Sequence, residues 1–350
     1  MYRKRTQSGI PDCIRKGQHM KTHGRYLLKL IACLCLGFLA HMPLAQADAV
    51  RGGVLFNTPS NCIRCHSYAA RQGRTASQIT GAIASVSAMR FLGFLTQTDI
   101  QDIADYLNPA PPPPVVPKTG WWWYPSEAGS GFTIEKRGNS IFMAGYLYDP
   151  SGRARWYAAG PTAMNGSTFT STLTTYLGGQ TLTGAYRIVT GTIGSGQISI
   201  TFTDPSHGTL TWGTPAKTIP IQRYDIVAGG ASAAVPAGTP EAGWWWNDTE
   251  GGRGYAIEIQ NGTMFLAGYM YDEQGNPIWY ASGPTAMTGP TTYQGVWQQY
   301  GNGQSLAGTY KLPSVVNDNV GAITIEFTST TTATLTLPDG RQIALTRYQF

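Results

Sequence analysis

Gly120-Trp121-Trp122-Trp123 opens a stretch that returns as Gly243-Trp244-Trp245-Trp246. At that offset of 123, residues 120–164 and 243–287 agree at 24 of 45 positions. Trp156-Tyr157-Ala158 recurs as Trp279-Tyr280-Ala281, and Gly160-Pro161-Thr162-Ala163-Met164 as Gly283-Pro284-Thr285-Ala286-Met287. Arg223-Tyr224 and Arg347-Tyr348 match one residue further on. An offset held this long is a tandem duplication. It divides the chain into modules at 120–227 and 243–350 with an Ala/Gly/Pro linker at 228–242. In each copy the apolar residues alternate over short runs, as in Phe132-Thr133-Ile134-Glu135 and Gln197-Ile198-Ser199-Ile200-Thr201-Phe202. Gly138-Asn139 ends the first run, and Asn261-Gly262, a favoured hairpin turn, fills that place in the second copy. Asp149-Pro150-Ser151-Gly152 and Asp272-Glu273-Gln274-Gly275 read as further turns. About eight short strands per module in meander order are expected, closed as a barrel or packed as a sandwich. The barrel is favoured because closure leaves no edge strand exposed.

Upstream of the repeat, Pro109, Pro111 to Pro114 and Pro117 mark residues 109–119 as an extended, semi-rigid spacer. At the other end of the chain, residues 1–29 hold eight basic groups against Asp12 alone. The apolar run Leu30 to Ala40 and Ala45-Gln46-Ala47 follow. A basic start, a short apolar run and an A-x-A end form a secretory signal peptide over 1–47, and the run is too short for a permanent span. Met20 would begin a more ordinary leader, and Leu30-Ile31-Ala32-Cys33 is an alternative lipoprotein box that would anchor the chain at Cys33. Removing the leader leaves 17 of the 25 basic and 18 of the 19 acidic residues, so the formal +6 belongs to the leader. A periplasmic or secreted protein with no nucleic-acid partner and no membrane span after processing is therefore expected. Phe350 and Tyr348 have the form of an outer-membrane barrel end. The first module ends similarly in mid-chain at Tyr224-Asp225-Ile226, so a shared last strand explains the pattern.

Between leader and spacer, residues 48–108 contain Cys62-Ile63-Arg64-Cys65-His66. Two thiols about one helical turn apart can each form a thioether to a porphyrin vinyl group, and a histidine directly after the second lies where a proximal ligand is needed. One covalently attached haem c, held by Cys62 and Cys65 with His66 on its iron, is the expected cofactor. A redox disulfide would not need the histidine. Zinc would need two further ligands, and the segment has no other His or Cys. Thr98 with Gln101 suggests a capping box, followed by Ile100, Ile103, Ala104 and Leu107 on one helical face.

The Gly/aromatic opening Arg51-Gly52-Gly53-Val54-Leu55-Phe56, the C-x-x-C-H box, a methionine and the closing helix ending in Asp105-Tyr106-Leu107 resemble a small class I cytochrome c domain. The resemblance implies a methionine as sixth iron ligand. Met89 is the methionine between 48 and 108 and inherits the role, although no proline follows it and its spacing from His66 is short. Ile79, Ile83, Phe91 and Leu92 are expected pocket walls. The aromatic motifs of the modules resemble a Gly-Trp-Trp repeat of exported proteins with unassigned function.

The expected fold class is thus multidomain: a small all-α cytochrome c domain followed by two all-β modules. The expected function is a periplasmic carrier of single electrons rather than an enzyme, exchanging them with unidentified redox proteins. The modules would position it at a partner, a glycan or an envelope component. A haem-based sensor of small ligands and an adhesive glycan-binding protein are the alternatives. All ten tryptophans lie in the modules, which allows a stacking surface but equally a core. Glu127, Glu135, Glu250 and Glu258 recur between copies, yet strand-borne glutamates ordinarily face water, so glycoside cleavage is not expected.

Overall fold

A computed structural model describes residues 48–350 except Pro111, Thr214 and Pro215. The leader expected over 1–47, including Met20 and Cys33, lies outside the described residues. The chain divides into two compact units, with the boundary between Pro112 and Pro113.

The expected fold class requires correction. Strand dominates the described residues, as two closed eight-stranded barrels. Residues 48–108 do not make a small all-α domain. They hold three short helices, α1 (Ala49–Asn57), α2 (Ala76–Ser85) and α3 (Gln97–Leu107), set among 3-10 turns at Cys62–Arg64 and Ser87–Phe94 and irregular backbone. The local cause is composition. Thr58-Pro59-Ser60-Asn61 stops α1, and Gly73, in the left-handed region at φ 82°, precedes the Thr75 cap of α2.

Helix α3 starts earlier than the Thr98/Gln101 reading placed it. Thr96 is the cap: its hydroxyl accepts the Asp99 N–H at 3.1 Å, and the Asp99 carboxylate accepts the Thr96 N–H at 2.7 Å. An anionic residue at this third position complements the helix dipole better than a neutral glutamine two residues on. The same carboxylate and Asp102 receive the Arg51 guanidinium from α1. The two helices touch backbone to backbone there. A Cβ on Gly52 would stand 1.8 Å from the Asp102 carbonyl oxygen, so that position admits no side chain.

The first barrel runs in meander order from β1 (Gly120–Trp123) to β8 (Lys217–Arg223), and the second from β9 (Gly243–Trp246) to β16 (Gln342–Arg347). Asn261 and Gly262 both have positive φ, 48° and 75°, as a type I′ hairpin turn requires. Alternate residues of successive strands, among them Trp122, Ile134, Met143, Phe169, Ile200, Leu210 and Ile221, form one apolar cluster filling the first barrel. Trp245, Ile257, Leu266, Trp297, Ile325 and Leu345 do so in the second.

The triple tryptophan follows from a strand buried on both sides. Trp122 packs inside its barrel, edge-on to Phe202 at 5.5 Å, whereas Trp121 points outward to Phe265 of the other barrel at 4.9 Å. Trp245 likewise meets Phe327 inside, and Trp244 meets Phe142 of the first barrel at 5.1 Å. The exchange is reciprocal throughout. Trp156 Nε1 donates to the Met270 carbonyl and Trp279 Nε1 to the Leu147 carbonyl, each at 2.8 Å.

Two buried ion pairs complete the lock. Glu135 of the first barrel receives Arg347 of the second at 2.5 Å, and Glu258 of the second receives Arg223 of the first. Glu135 also accepts the Trp244 N–H at 2.7 Å, and Glu258 the Trp121 N–H at 2.8 Å. This explains the glycine that begins each Trp triplet. A Cβ on Gly120 would meet Glu258 Oε2 at 2.1 Å, and one on Gly243 would meet Glu135 Oε2 at 2.2 Å.

Each barrel also sends a loop to the other. Leu306 joins the core of the first barrel, and Arg253 of the second donates to the Leu182 carbonyl of the first at 3.1 Å. The proline spacer ends against the first barrel, where the Val115 N–H donates to Ser167 Oγ at 2.9 Å.

Candidate haem site

The site is built on the turn that links α1 to α2. Asn61 is buried and fixes that turn: its side-chain amide donates to the Leu55 carbonyl at 2.9 Å, and its N–H donates to the Thr58 carbonyl at 2.8 Å. One 3-10 turn follows. The Cys65 and His66 N–H groups both donate to the Cys62 carbonyl, at 3.1 and 2.9 Å. This converging pair of bonds gathers Cys62, Cys65 and His66 at one place.

Cys62 is buried and Cys65 exposed, and both are free thiols. Burial pushes the Cys62 thiol above its ordinary pKa, so it rests in the protonated form. His66 is half-buried, and its pKa is lowered, first by that burial and then by the Arg71 charge. Neutral imidazole is the form with a lone pair free to bind a metal. Met89 sits on the 3-10 turn Ser87–Phe94, where its N–H donates to the Val86 carbonyl at 2.9 Å.

Cys62, Cys65, His66 and Met89 all line one cavity of about 380 Å³. That volume is within the roughly 300–1,000 Å³ of small-molecule sites. Ile79, Phe91 and Leu92 are among its walls, as is Phe56; Ile83 instead packs against the segment's core. Among the described residues no three His, Cys, Asp or Glu side chains converge as a metal site. A haem iron needs no such cluster, since the porphyrin supplies four of its ligands. The donor set fits a haem in composition: two thiols, one neutral imidazole, one thioether and an apolar lining.

Two lining residues escaped the sequence reading. Arg71 and Arg74 face the cavity and are cations suited to the two carboxylates a haem carries. Their signal was their spacing, five and eight residues after the box, in a segment with few other basic groups.

The repeated glutamates of the β unit do not face water as expected. Glu135 and Glu258 are 1% and 5% exposed, each bound by an arginine from the opposite barrel. Glu127 is held by Lys217 at 3.0 Å, and Glu250 by Arg253. All four are engaged in joining elements of the fold. Among the described residues no helix is long and apolar enough to cross a membrane.

Comparison of the whole chain with protein-family models, curated proteins and solved structures finds no match.

Proposed function

We propose that residues 48–108 attach one haem c and carry single electrons in an exported protein. The observation that carries this reading is that Cys62, Cys65, His66 and Met89, spread over 28 residues, line one apolar cavity. In this reading Cys62 and Cys65 would tether the group through their thiols, and His66, as a neutral ring, and Met89, as a thioether, would be its iron ligands. When bound, the haem supplies a one-electron iron couple whose potential a methionine ligand raises. Phe56, Ile79 and Leu92 keep water from the site and lower its dielectric, and Arg71 and Arg74 balance the haem carboxylates. The β unit positions the carrier at a redox partner or an envelope component.

The test is a redox titration of the haem-loaded protein, with carbon monoxide added to the reduced form. A carrier closed by Met89 titrates reversibly with one electron and leaves carbon monoxide unbound. Binding of carbon monoxide by the wild-type protein would replace this reading with that of a small-ligand sensor.

A further inference from the structure

The duplication that locks the barrels together also creates two equivalent clefts between them. The first, about 230 Å³, includes Trp121, Trp123, Tyr146, Trp279 and Tyr300. The second, about 330 Å³, includes their counterparts Trp244, Trp246, Tyr269, Trp156 and Tyr176. In each, a tryptophan and a tyrosine form a stacked platform: Trp279 on Tyr300 at 5.6 Å and 22°, Trp156 on Tyr176 at 5.5 Å and 18°.

The copies differ in their polar atoms. Around the first cleft, Trp121 Nε1 donates to the Phe265 carbonyl at 3.3 Å, and the Tyr148 hydroxyl to the Gly129 carbonyl at 2.9 Å. The Trp123 indole N–H there has no partner among the described residues. In the second cleft, the counterparts Trp244 Nε1 and Tyr271 hydroxyl are both buried without a partner among the described residues, in residues 6% and 1% exposed. A buried donor left without an acceptor is costly, so a ligand that supplies one is favoured. Burial holds the Tyr271 hydroxyl well above its ordinary pKa, so it stays protonated and can donate. Among the described residues no Asp, Glu, Asn, Gln, Ser or Thr side chain lines this cleft, and the Arg253 guanidinium is engaged by Glu250 and the Leu182 carbonyl.

We infer that the second cleft binds a planar, carbonyl-bearing ring of the quinone class, stacked on the aromatic platform with its oxygens toward Trp244 and Tyr271. A flat ring with acceptors and no donors complements a slot of aromatic faces and indole and phenol donors. A pyranose fits less well, because its many hydroxyl donors would meet no carboxylate or amide acceptor. The inference is independent of the haem reading, since the clefts lie wholly within residues 113–350.

The test is isothermal titration of the full-length oxidised protein with oxidised duroquinone, whose fully substituted ring does not alkylate thiols. One saturable site per chain is expected. Tyr176→Ala, at a half-exposed position, should weaken binding at least tenfold, and the matching Tyr300→Ala in the first cleft should change it less than twofold. Tyr271→Phe, which keeps the ring and removes the donor, should weaken it about three- to tenfold, and Trp244→Phe, which removes the indole donor together with part of the aromatic face, at least as much. No saturable heat, equal sensitivity to Tyr300→Ala, or displacement of the quinone by chitotetraose would overturn the inference.

Discussion

The β unit and the helical segment solve the problem of a core in opposite ways. Each barrel fills its own interior with alternate residues of its strands, and the paired outer faces fill the space between them. The segment from 48 to 108 buries a ring of side chains, Phe56, Ile79, Leu92, Ile103 and Leu107, around a cavity of about 380 Å³. A chain of about 60 residues is marginal even with a filled core. The contrast teaches that one unit fills its core with its own side chains, whereas the other leaves room within its core for a group the chain does not supply.

The largest effect should come from removing the two thiols at that cavity, if the proposed haem fills it. Cys62→Ser with Cys65→Ser, made in a host that attaches haem, should leave residues 48–108 open to proteolysis while the barrels stay resistant. Limited proteolysis read by mass spectrometry checks this, and equal resistance of both units would erase the contrast.

Next in size is the lock between barrels. Glu258→Ala strands Arg223 in an apolar interface and should cost about 3–5 kcal/mol in denaturant unfolding. Gly52→Ala, which forces α1 off α3, should destabilise the helical segment by about 1–3 kcal/mol and leave the barrel transition in place. Hydrogen exchange resolves the two units in both experiments.

The smallest effects lie at the start of α3. Thr96→Ala removes the cap and should cost about 1 kcal/mol. Hydrogen bonds from Thr96, with Arg51 opposite, hold the Asp99 carboxyl below its ordinary range. A depressed folded pKa gives stability that is present above the unfolded value and lost as pH falls through the folded one. The segment should therefore weaken below about pH 4, where a free aspartate protonates, and Asp99→Asn should flatten that part of the profile. Circular dichroism of the helices against pH is the measurement.

Much of the fold is legible in the sequence. The Gly-Trp-Trp-Trp repeat announced the duplication, and alternation with Asn261-Gly262 announced hairpins. Neither showed that Trp121 and Trp122 enter different cores, because period two says which residues share a face and not what covers it. Glu135 and Glu258 read as solvent-facing because their partners, Arg347 and Arg223, come from the opposite copy. The C-x-x-C-H box is a local signal, and one 3-10 turn gathers its two thiols and imidazole as their spacing implies. Its surroundings were misread as an all-α domain: helical periodicity at 100–107 is real, but Pro59, Gly73 and their polar neighbours break the intervening chain into turns. Arg71 and Arg74 stayed hidden because a surface arginine and a cavity-lining one look alike in sequence.

The most direct measurement is an intact mass and visible spectrum of the protein purified from a host that attaches haem c. The account predicts one haem's mass retained after denaturation and a low-spin spectrum with the weak far-red band of thioether-bound ferric iron, lost in Met89→Ala. A chain that leaves such a host at its bare polypeptide mass would contradict it.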